Sequence, residues 1–154
     1  MLSTPTHLCL TSTVHMPIND SFSFSPVTPD ELTAVMNGLK SSSPGHDDIQ
    51  VSAYKNNIVI LGGVILHICN KSLSQRIFYD QIKVAKITPV HKNGDKKWIG
   101  NYRPISVLNS FSKIIEKIVV NQLNNYLLFN SILSNCQFGF RPGLSTENAI
   151  QQYS

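Results

Sequence analysis

Lys83-Val84-Ala85-Lys86-Ile87-Thr88-Pro89-Val90, followed by Ile105-Ser106-Val107-Leu108, is the pair of segments that decides the fold of this chain. Both segments are rich in β-branched and aliphatic residues, a composition that predicts β-strands. The residues between them, from His91 to Asn101, are polar and basic, and Asn93-Gly94-Asp95 predicts a turn. We therefore predict a β-hairpin with a long cationic tip. Pro89 predicts that the first strand is an edge strand or ends there.

Amphipathic helices are predicted on both sides of this hairpin. Thr28 is a suitable N-cap, Pro29 suits the first helical position and Glu31 completes a capping box, so a helix should begin here. Its apolar stripe is predicted to consist of Leu32, Val35, Met36 and Leu39. Residues 58–73 predict a second, buried helix, and residues 112–128 predict the longest one, capped by Ser112 or Ser110. Ser145 should cap a last helix. The predicted fold class is α/β (α+β), mostly helices with one basic hairpin, preceded by a linker at residues 1–27.

Charge is distributed unevenly along the 154 residues. Residues 1–70 carry two Lys against five Asp and Glu, a net charge of −3. Residues 71–154 carry eleven Lys and Arg against four Asp and Glu, a net charge of +7. Clustered cations of this kind are typical of proteins that bind a polyanion such as nucleic acid. A basic face that is only solvated is the alternative interpretation.

Other classes of protein are disfavoured by the sequence. The apolar run from Ile58 to Ile68 is shorter than the roughly 20 residues that a membrane span needs. No basic segment followed by an apolar one marks a signal peptide at the N-terminus. Three widely spaced cysteines, Cys9, Cys69 and Cys136, favour reduced thiols and an intracellular location, in the nucleus or the cytoplasm. Two sets of residues, His7, Cys9 and His15, and His67 with Cys69, could suggest zinc, but neither gives four ligands at the spacing of a zinc finger.

Lys92 and Arg103 flank the tip of the predicted hairpin and are candidate phosphate ligands. A lysine supplies a compact charge, whereas the planar arginine side chain can bind two phosphate oxygens at once. From the chemistry alone, the alternative is that Arg103 pairs with a local carboxylate and Lys92 is solvated.

The hairpin also carries a resemblance to a known family. Ile87-Thr88-Pro89-Val90-His91-Lys92, then Gly94-Asp95, then Asn101-Tyr102-Arg103-Pro104-Ile105-Ser106, is similar to the first conserved block of reverse transcriptases from non-LTR retrotransposons, the LINE- and jockey-like elements. In that family the lysine and arginine of this hairpin hold the phosphates of the incoming nucleotide. The resemblance implies that Lys92 and Arg103 are the dNTP-phosphate ligands.

A second block follows about thirty residues later. Gln137-Phe138-Gly139-Phe140-Arg141-Pro142-Gly143, with Ser145-Thr146, is similar to the second block of the family. The resemblance implies template and primer contacts by Gln137, Gly139 and Arg141. Glycine at 139 would let a templating base come close, and Arg141 would meet a phosphate. Phe140 is predicted to pack in the core rather than to stack on a base.

A third segment resembles the turn that precedes the fingers in these elements. Ser43-Pro44-Gly45-His46-Asp47-Asp48-Ile49 is similar to their Pro-Gly-x-Asp-Gly-Ile pattern. It departs from that pattern at Asp48, where glycine is usual. We therefore expect backbone strain at this position.

The family implies both an activity and its absence from this chain alone. Residues 28–154 would be the fingers of a right-hand polymerase with a truncated palm, part of an enzyme that copies RNA into DNA from dNTPs with Mg²⁺. RNA template, DNA primer and dNTPs would be its partners. The family's catalytic aspartates are expected beyond residue 154, so the chain should have no catalytic and no metal-binding residues and should be inactive by itself. The rival hypothesis is a non-enzymatic basic nucleic-acid-binding module.

Overall fold

The computed structural model describes residues 21–134, 136–141 and 143–152. Its helices and small sheet confirm the predicted α/β (α+β) class. The described residues divide into two compact units, one of residues 23–122 and one that contains residues 21–22, 123–134, 136–141 and 143–152. The elements follow in the order α1 (Pro29–Gly38), α2 (Val51–Asn56), α3 (Ile58–Gln75), α4 (Asp80–Lys83), β1 (Ala85–His91), a 3₁₀ turn (Ile99–Asn101), β2 (Tyr102–Leu108), α5 (Ser110–Phe129) and α6 (Thr146–Gln152).

The core of the unit formed by residues 23–122 lies between α1, α3 and α5. Each helix contributes residues three or four positions apart, which is the spacing of one helical face. The α1 face is the stripe that the sequence predicts, apart from a partly buried Leu39. Buried apolar side chains of this core are Val27, Leu32, Val35, Met36, Ile65, Cys69, Leu73, Ile114, Ile115 and Ile118.

Helix α1 begins as the sequence predicts. The Thr28 Oγ1 accepts a hydrogen bond from the backbone N–H of Glu31 at 3.1 Å, and Pro29 occupies the first helical position. The C-terminal end is held by Lys55 of α2, whose Nζ donates to the carbonyl oxygens of Asn37 (3.2 Å) and Leu39 (2.7 Å). A cation at this end satisfies carbonyls that lack a partner within the helix.

Helix α3 is longer than its apolar run because it continues through polar residues to Gln75. It has 18 residues and a mean hydropathy of 1.3, which by length and composition would suffice to cross a membrane. That is weak evidence, because the core helix of a soluble protein passes the same test, and α3 contributes Ile65, Cys69 and Leu73 to the core. Its N-terminal turns expose Val59 and Ile60.

The cysteines only partly follow the prediction of reduced thiols. Cys69 is free and fully buried in the core, and burial raises the pKa of its thiol to about 11. Cys136 is disulfide-bonded, so the prediction is wrong for that residue. Cys9 lies outside the described residues.

Strands β1 and β2 form the predicted hairpin, paired antiparallel with Ala85 opposite Leu108 and His91 opposite Tyr102. Of the two alternatives that Pro89 predicts, the structure shows the edge strand: the sheet of the described residues has two strands, and β1 continues past Pro89 to His91. The register explains this: Pro89 lies opposite Pro104, at a pair where the backbone nitrogens point away from the partner strand. Neither proline therefore removes a bond from the ladder.

Helix α5 begins two residues earlier than predicted, and its cap is a different residue. The Oδ1 of Asn109 accepts a hydrogen bond from the backbone N–H of Ser112 at 2.7 Å, which makes Asn109 the N-cap. Ser110 and Ser112, the two predicted caps, are fully buried within the first turn. In the other unit, α6 follows Ser145 as predicted, and the Ser145 Oγ accepts from the backbone N–H of Asn148 at 3.4 Å.

Candidate nucleotide and nucleic-acid interface

The base of the hairpin is fixed by the first turn of α5. Asn109 directly follows β2, and the Ser112 Oγ lies 2.7 Å from the Asn109 Oδ1. The same hydroxyl also lies within hydrogen-bond distance of the Ile82 carbonyl oxygen in α4, just before β1. Its single proton can go to only one of these oxygens at a time. The end of β2 and the approach to β1 therefore meet at one buried serine.

The Pro-Gly turn packs against this same place. The Ser110 Oγ donates to the carbonyl oxygen of Ile49 at 2.7 Å. A Cβ built on Gly45 would lie 2.6 Å from the Asn109 Cα, so glycine is required by the approach of the two backbones. Lys113 of α5 donates from its Nζ to the Ser43 carbonyl oxygen at 3.2 Å. Three separate chain segments are thus joined at the start of α5.

The expected strain at Asp48 is present. Its φ is +53°, in the left-handed region that glycine adopts at no steric cost. The aspartate is tolerated there better than most residues because short polar side chains visit this region more often. Its carboxylate lies 3.9 Å from the Nζ of Lys86 on β1.

The register places Lys92 and Arg103 on one face of the hairpin. Arg103 lies opposite Val90, and the backbone N–H of Lys92 donates to the carbonyl oxygen of Asn101 at 2.7 Å, so the ladder continues one pair beyond β1. Lys92 is two residues from Val90, and side chains two apart on a strand share a face. The two cations are therefore diagonal neighbours, within reach of a single polyphosphate.

Both cations are free to bind an external anion. Each is exposed, and no carboxylate of the described residues pairs with either one. The ion pairs of the described chain are Lys83 with Asp80 and Lys86 with Asp48, at 2.7 Å and 3.9 Å. The alternative in which Arg103 pairs with a local carboxylate is therefore not seen in the described residues.

The tip between these cations is held by its own hydrogen bonds. The carbonyl oxygen of Asp95 accepts from the Asn101 Nδ2 at 2.8 Å, and its carboxylate accepts from the backbone N–H of Lys97 at 2.9 Å. The Tyr102 hydroxyl donates to the carbonyl oxygen of Lys96 at 2.9 Å. Gly94 has a φ of +80°, so the predicted turn at Asn93-Gly94-Asp95 depends on it.

The residues of the second block lie in the other unit. The Gln137 Nε2 donates to the Gly139 carbonyl oxygen at 3.4 Å, and the Arg141 guanidinium donates to the Ser134 carbonyl oxygen at 3.1 Å. A Cβ on Gly139 would meet no heavy atom within 4 Å, so the space beside it is open. These bonds make a local turn that leaves Gln137 and Gly139 exposed.

The prediction that Phe140 packs in the core is wrong. Its side chain is fully exposed, and its φ is +62°, a backbone conformation unusual for a bulky residue. The turn formed by its neighbours therefore directs the ring to solvent.

The described residues do not suit a catalytic metal. Within the ranges 21–134, 136–141 and 143–152, no group of three His, Cys, Asp or Glu could hold an ion. His7, Cys9 and His15 lie outside these ranges.

Several residues that build this interface could not be identified from the sequence. Nothing marked Asn109 as a cap, because it lies between a strand and two serines that are themselves good caps. The contact of Gly45 with Asn109 joins residues far apart in sequence, which no local pattern reveals. The Pro-Gly motif at residues 44–45 was the one available signal.

Comparison with known proteins agrees with the resemblance. The sequence profile of the family "Reverse transcriptase (RNA-dependent DNA polymerase)" matches residues 90–154. The chain is 33% identical over 138 residues, 88% of its length, to a probable RNA-directed DNA polymerase from transposon BS of Drosophila melanogaster. It is 30% identical over 131 residues, 81% of its length, to the RNA-directed DNA polymerase from mobile element jockey of the same organism.

These relatives are much longer than the chain. It spans 15% of the length of the transposon BS protein and 14% of the jockey protein. The putative COX1/OXI3 intron 2 protein of Saccharomyces cerevisiae is 33% identical over 97 residues, 63% of the chain and 11% of that protein. The hairpin with its two free cations, the Pro-Gly turn and these matches lead to one conclusion: the chain belongs to the reverse transcriptase family of non-LTR, jockey-like retrotransposons.

Proposed function

We propose that this chain supplies the nucleotide- and template-contacting fingers of an RNA-directed DNA polymerase. The observation that carries the proposal is the pairing of Lys92 and Arg103 on one exposed face of an anchored hairpin, with no counter-ion among the described residues. Phosphoryl transfer requires neutralisation of the negative charge on the triphosphate. The compact ammonium group of Lys92 and the planar guanidinium of Arg103, side by side, would supply this neutralisation.

The two cations would have different roles in binding the triphosphate. Arg103 would bind two oxygens of one phosphate through its parallel N–H groups, which fixes the orientation of the triphosphate. Lys92 would neutralise a neighbouring phosphate without imposing an angle. Both side chains leave from the same face, so the triphosphate would lie across the hairpin near its tip.

Template and primer contacts are proposed for the second block. Gly139 has open space around it and Gln137 is exposed beside it, which suits the approach of a base. Arg141 is held by one bond to a backbone carbonyl and retains further N–H donors for a phosphate. The exposed Phe140 would stack on a base more readily than it would pack in a core.

The whole polymerase would use RNA template, DNA primer and dNTPs, with Mg²⁺ as its divalent ion. Polymerisation by two metals needs carboxylates to hold the ions, and the described residues offer no such cluster. These residues do not fit the metal, and no step through it is assigned to them. The 154-residue chain is therefore expected to extend no primer. Work on nucleic acid also implies an intracellular location, in the nucleus or the cytoplasm.

The test is triphosphate binding by the 154-residue chain, with inorganic tripolyphosphate and dTTP as probes in titration calorimetry. Lys92→Gln and Arg103→Gln should each weaken binding by roughly tenfold, equivalent to about 1.4 kcal/mol. Lys117→Gln removes one charge from exposed α5 surface and is the matched control. It should change the affinity less than about twofold.

Equal losses in all three variants would overturn the assignment, because only net charge would then matter. Absence of any binding would overturn it as well. The rival module, a basic nucleic-acid-binding protein without a nucleotide site, is not favoured by the polymerase relatives. It predicts that RNA binds while tripolyphosphate and dTTP do not.

A further inference from the structure

The outermost part of the hairpin carries an exposed tryptophan that the proposed triphosphate site does not use. Trp98 is 68% exposed and the adjacent Ile99 is 88% exposed. A large aromatic side chain is usually mostly buried, so its exposure at the end of an ordered element requires a reason. Lys96 and Lys97 precede it directly, and both are exposed.

The indole is held in place rather than loosely attached. A Cβ built on Gly100 would lie 2.8 Å from the Trp98 Nε1 and 3.1 Å from its Cδ1, so the ring rests close to the Gly100 backbone. The backbone N–H of Trp98 donates to the Asp95 carbonyl oxygen at 3.1 Å, and the Trp98 carbonyl oxygen accepts from the backbone N–H of Asn101 at 3.0 Å. A ring that is already ordered loses little conformational entropy when it binds.

The charge around this ring is strongly positive. Residues 92–103 contain four cations, Lys92, Lys96, Lys97 and Arg103, against the single carboxylate of Asp95. That carboxylate accepts from the backbone N–H of Lys97 and forms no ion pair among the described residues. The tip therefore presents an aromatic side chain in a segment whose cations form no ion pair among the described residues.

We propose that Trp98, with Lys96 and Lys97, is a docking platform for single-stranded nucleic acid. One base stacks on the indole, and the two ammonium groups neutralise the adjoining phosphates. Stacking on an aromatic side chain combined with backbone neutralisation is how proteins bind single strands without reading their sequence. This inference rests on the proposed function and extends it. It assigns single-stranded nucleic acid to the hairpin tip, in addition to the triphosphate between Lys92 and Arg103.

The chain contains one tryptophan, so its intrinsic fluorescence reports on this ring alone. The experiment is a titration of the 154-residue chain with a 5′-labelled oligouridylate of about twelve nucleotides. Trp fluorescence and label anisotropy are read in the same samples. We expect quenching of the fluorescence with the same midpoint as the rise in anisotropy.

Variants separate stacking from general attraction. Trp98→Ala should weaken binding by about 5- to 150-fold, the range that corresponds to the loss of one base stack. Trp98→Phe should retain part of the affinity. Phe129→Ala removes another exposed aromatic side chain, 89% exposed at the end of α5, and should leave the affinity unchanged. Lys97→Gln should lower the slope of log affinity against log salt by about 0.7.

Gly100→Ala is a second test of base stacking, in a variant that retains the indole of Trp98. The added methyl group displaces the ring from the Gly100 backbone, so quenching should decrease although tryptophan is present. Circular dichroism of each variant confirms that it is folded. Because these measurements do not involve Lys92 or Arg103, they can succeed where the triphosphate titration fails, and the reverse.

Three results would overturn the platform, two with the oligouridylate and one with vesicles. One is a rise in anisotropy without any change in Trp fluorescence, together with equal affinities of Trp98→Ala and Phe129→Ala. Another is no binding of the oligouridylate. Tryptophan and lysines also suit a membrane surface, so anionic phospholipid vesicles are the comparison. A blue shift with vesicles but no quenching by the oligouridylate would assign the tip to lipid and contradict the proposal.

Discussion

Gly45 lies so close to the backbone of Asn109 that a Cβ at residue 45 would come within 2.6 Å of the Asn109 Cα and 2.7 Å of its nitrogen. Both contacts are with backbone atoms, which cannot rotate out of the way as the end of a side chain can. The turn at residues 43–49 and the start of α5 therefore depend on glycine at this position.

Gly45→Ala should lower the free energy of unfolding by about 1–3 kcal/mol, the usual cost of forcing extra volume into a packed site. Gly63→Ala is the matched control: it is the same substitution inside α3, where the new Cβ meets nothing within 4 Å. It should raise the free energy of unfolding by about 0.5–1 kcal/mol because alanine favours the helix. Urea unfolding followed by circular dichroism measures both. Equal effects in the two variants would contradict the close contact.

Asp48→Gly should stabilise the chain by about 1 kcal/mol, because glycine adopts the φ of +53° without steric cost. Asp48→Asn is the control for charge, since asparagine tolerates this conformation and only the 3.9 Å ion pair with Lys86 is lost. That pair is exposed on both sides and should contribute little. Thermal unfolding midpoints compare the variants. A lower midpoint for Asp48→Gly would show that the aspartate is not strained.

Asn109→Ala should lower the free energy of unfolding by about 2 kcal/mol, at the upper end for loss of an N-cap. The Asn109 side chain is buried and accepts from the backbone N–H of Ser112, so its loss leaves that buried donor unpaired. Thr28→Ala removes the exposed cap of α1 and should cost less, about 1 kcal/mol. Urea unfolding decides the order, and a larger loss at Thr28 would be the contrary result.

Stability should fall at alkaline pH because of Cys69. Burial raises the pKa of its thiol from 9.0 to about 11, so the folded chain holds this proton where the unfolded chain releases it. The contribution is fully present below the unfolded pKa and is lost as the pH rises through the folded pKa, with a slope of up to about 1.4 kcal/mol per pH unit. Urea unfolding of wild type and Cys69→Ala across this range isolates the thiol. Parallel pH profiles of the two proteins would refute the shift.

In an intact polymerase of the family, lysine in place of the arginine equivalent to Arg103 should raise the KM for dNTP. A compact ammonium cannot reproduce a planar fork with two parallel donors. If the contact strengthens in the transition state, kcat should fall as well. Steady-state primer extension measures both constants. Arginine in place of the lysine equivalent to Lys117, which is exposed on α5, is the conservative control and should have no effect. Unchanged kinetics in both variants would remove Arg103 from the triphosphate site.

Sequence predicted the elements whose signals are local. The cap at Thr28, the apolar stripe of α1, and the basic hairpin all follow from residues within a few positions of one another, and the structure has each of them. The short helices α2 and α4 were not predicted, since six and four residues are too few for a periodic pattern. Pro89 left two alternatives open, an edge strand or a strand end, because its effect depends on the partner strand, where Pro104 lies opposite it.

The candidate site divides in the same way. Lys92 and Arg103 could be selected from the sequence because a hairpin brings its two ends together whatever surrounds it. That their side chains share a face follows only from the register of the two strands. A single extra residue in the tip would have moved one of the two side chains to the opposite face. Phe140 was assigned to the core on hydrophobicity alone, and its left-handed backbone conformation overrode that preference.

The hairpin is a long arm whose base is attached to the first turn of α5. Each strand has seven residues, which at about 3.3 Å per residue corresponds to an arm of roughly 23 Å. A tilt of about 10° at this base would displace the tip of the hairpin by roughly 4 Å. Catalytic rates can change a hundredfold when reacting groups are misplaced by about 1 Å. Asn109 and Ser112, at the base of the hairpin, thereby determine where Lys92 and Arg103 lie at its other end.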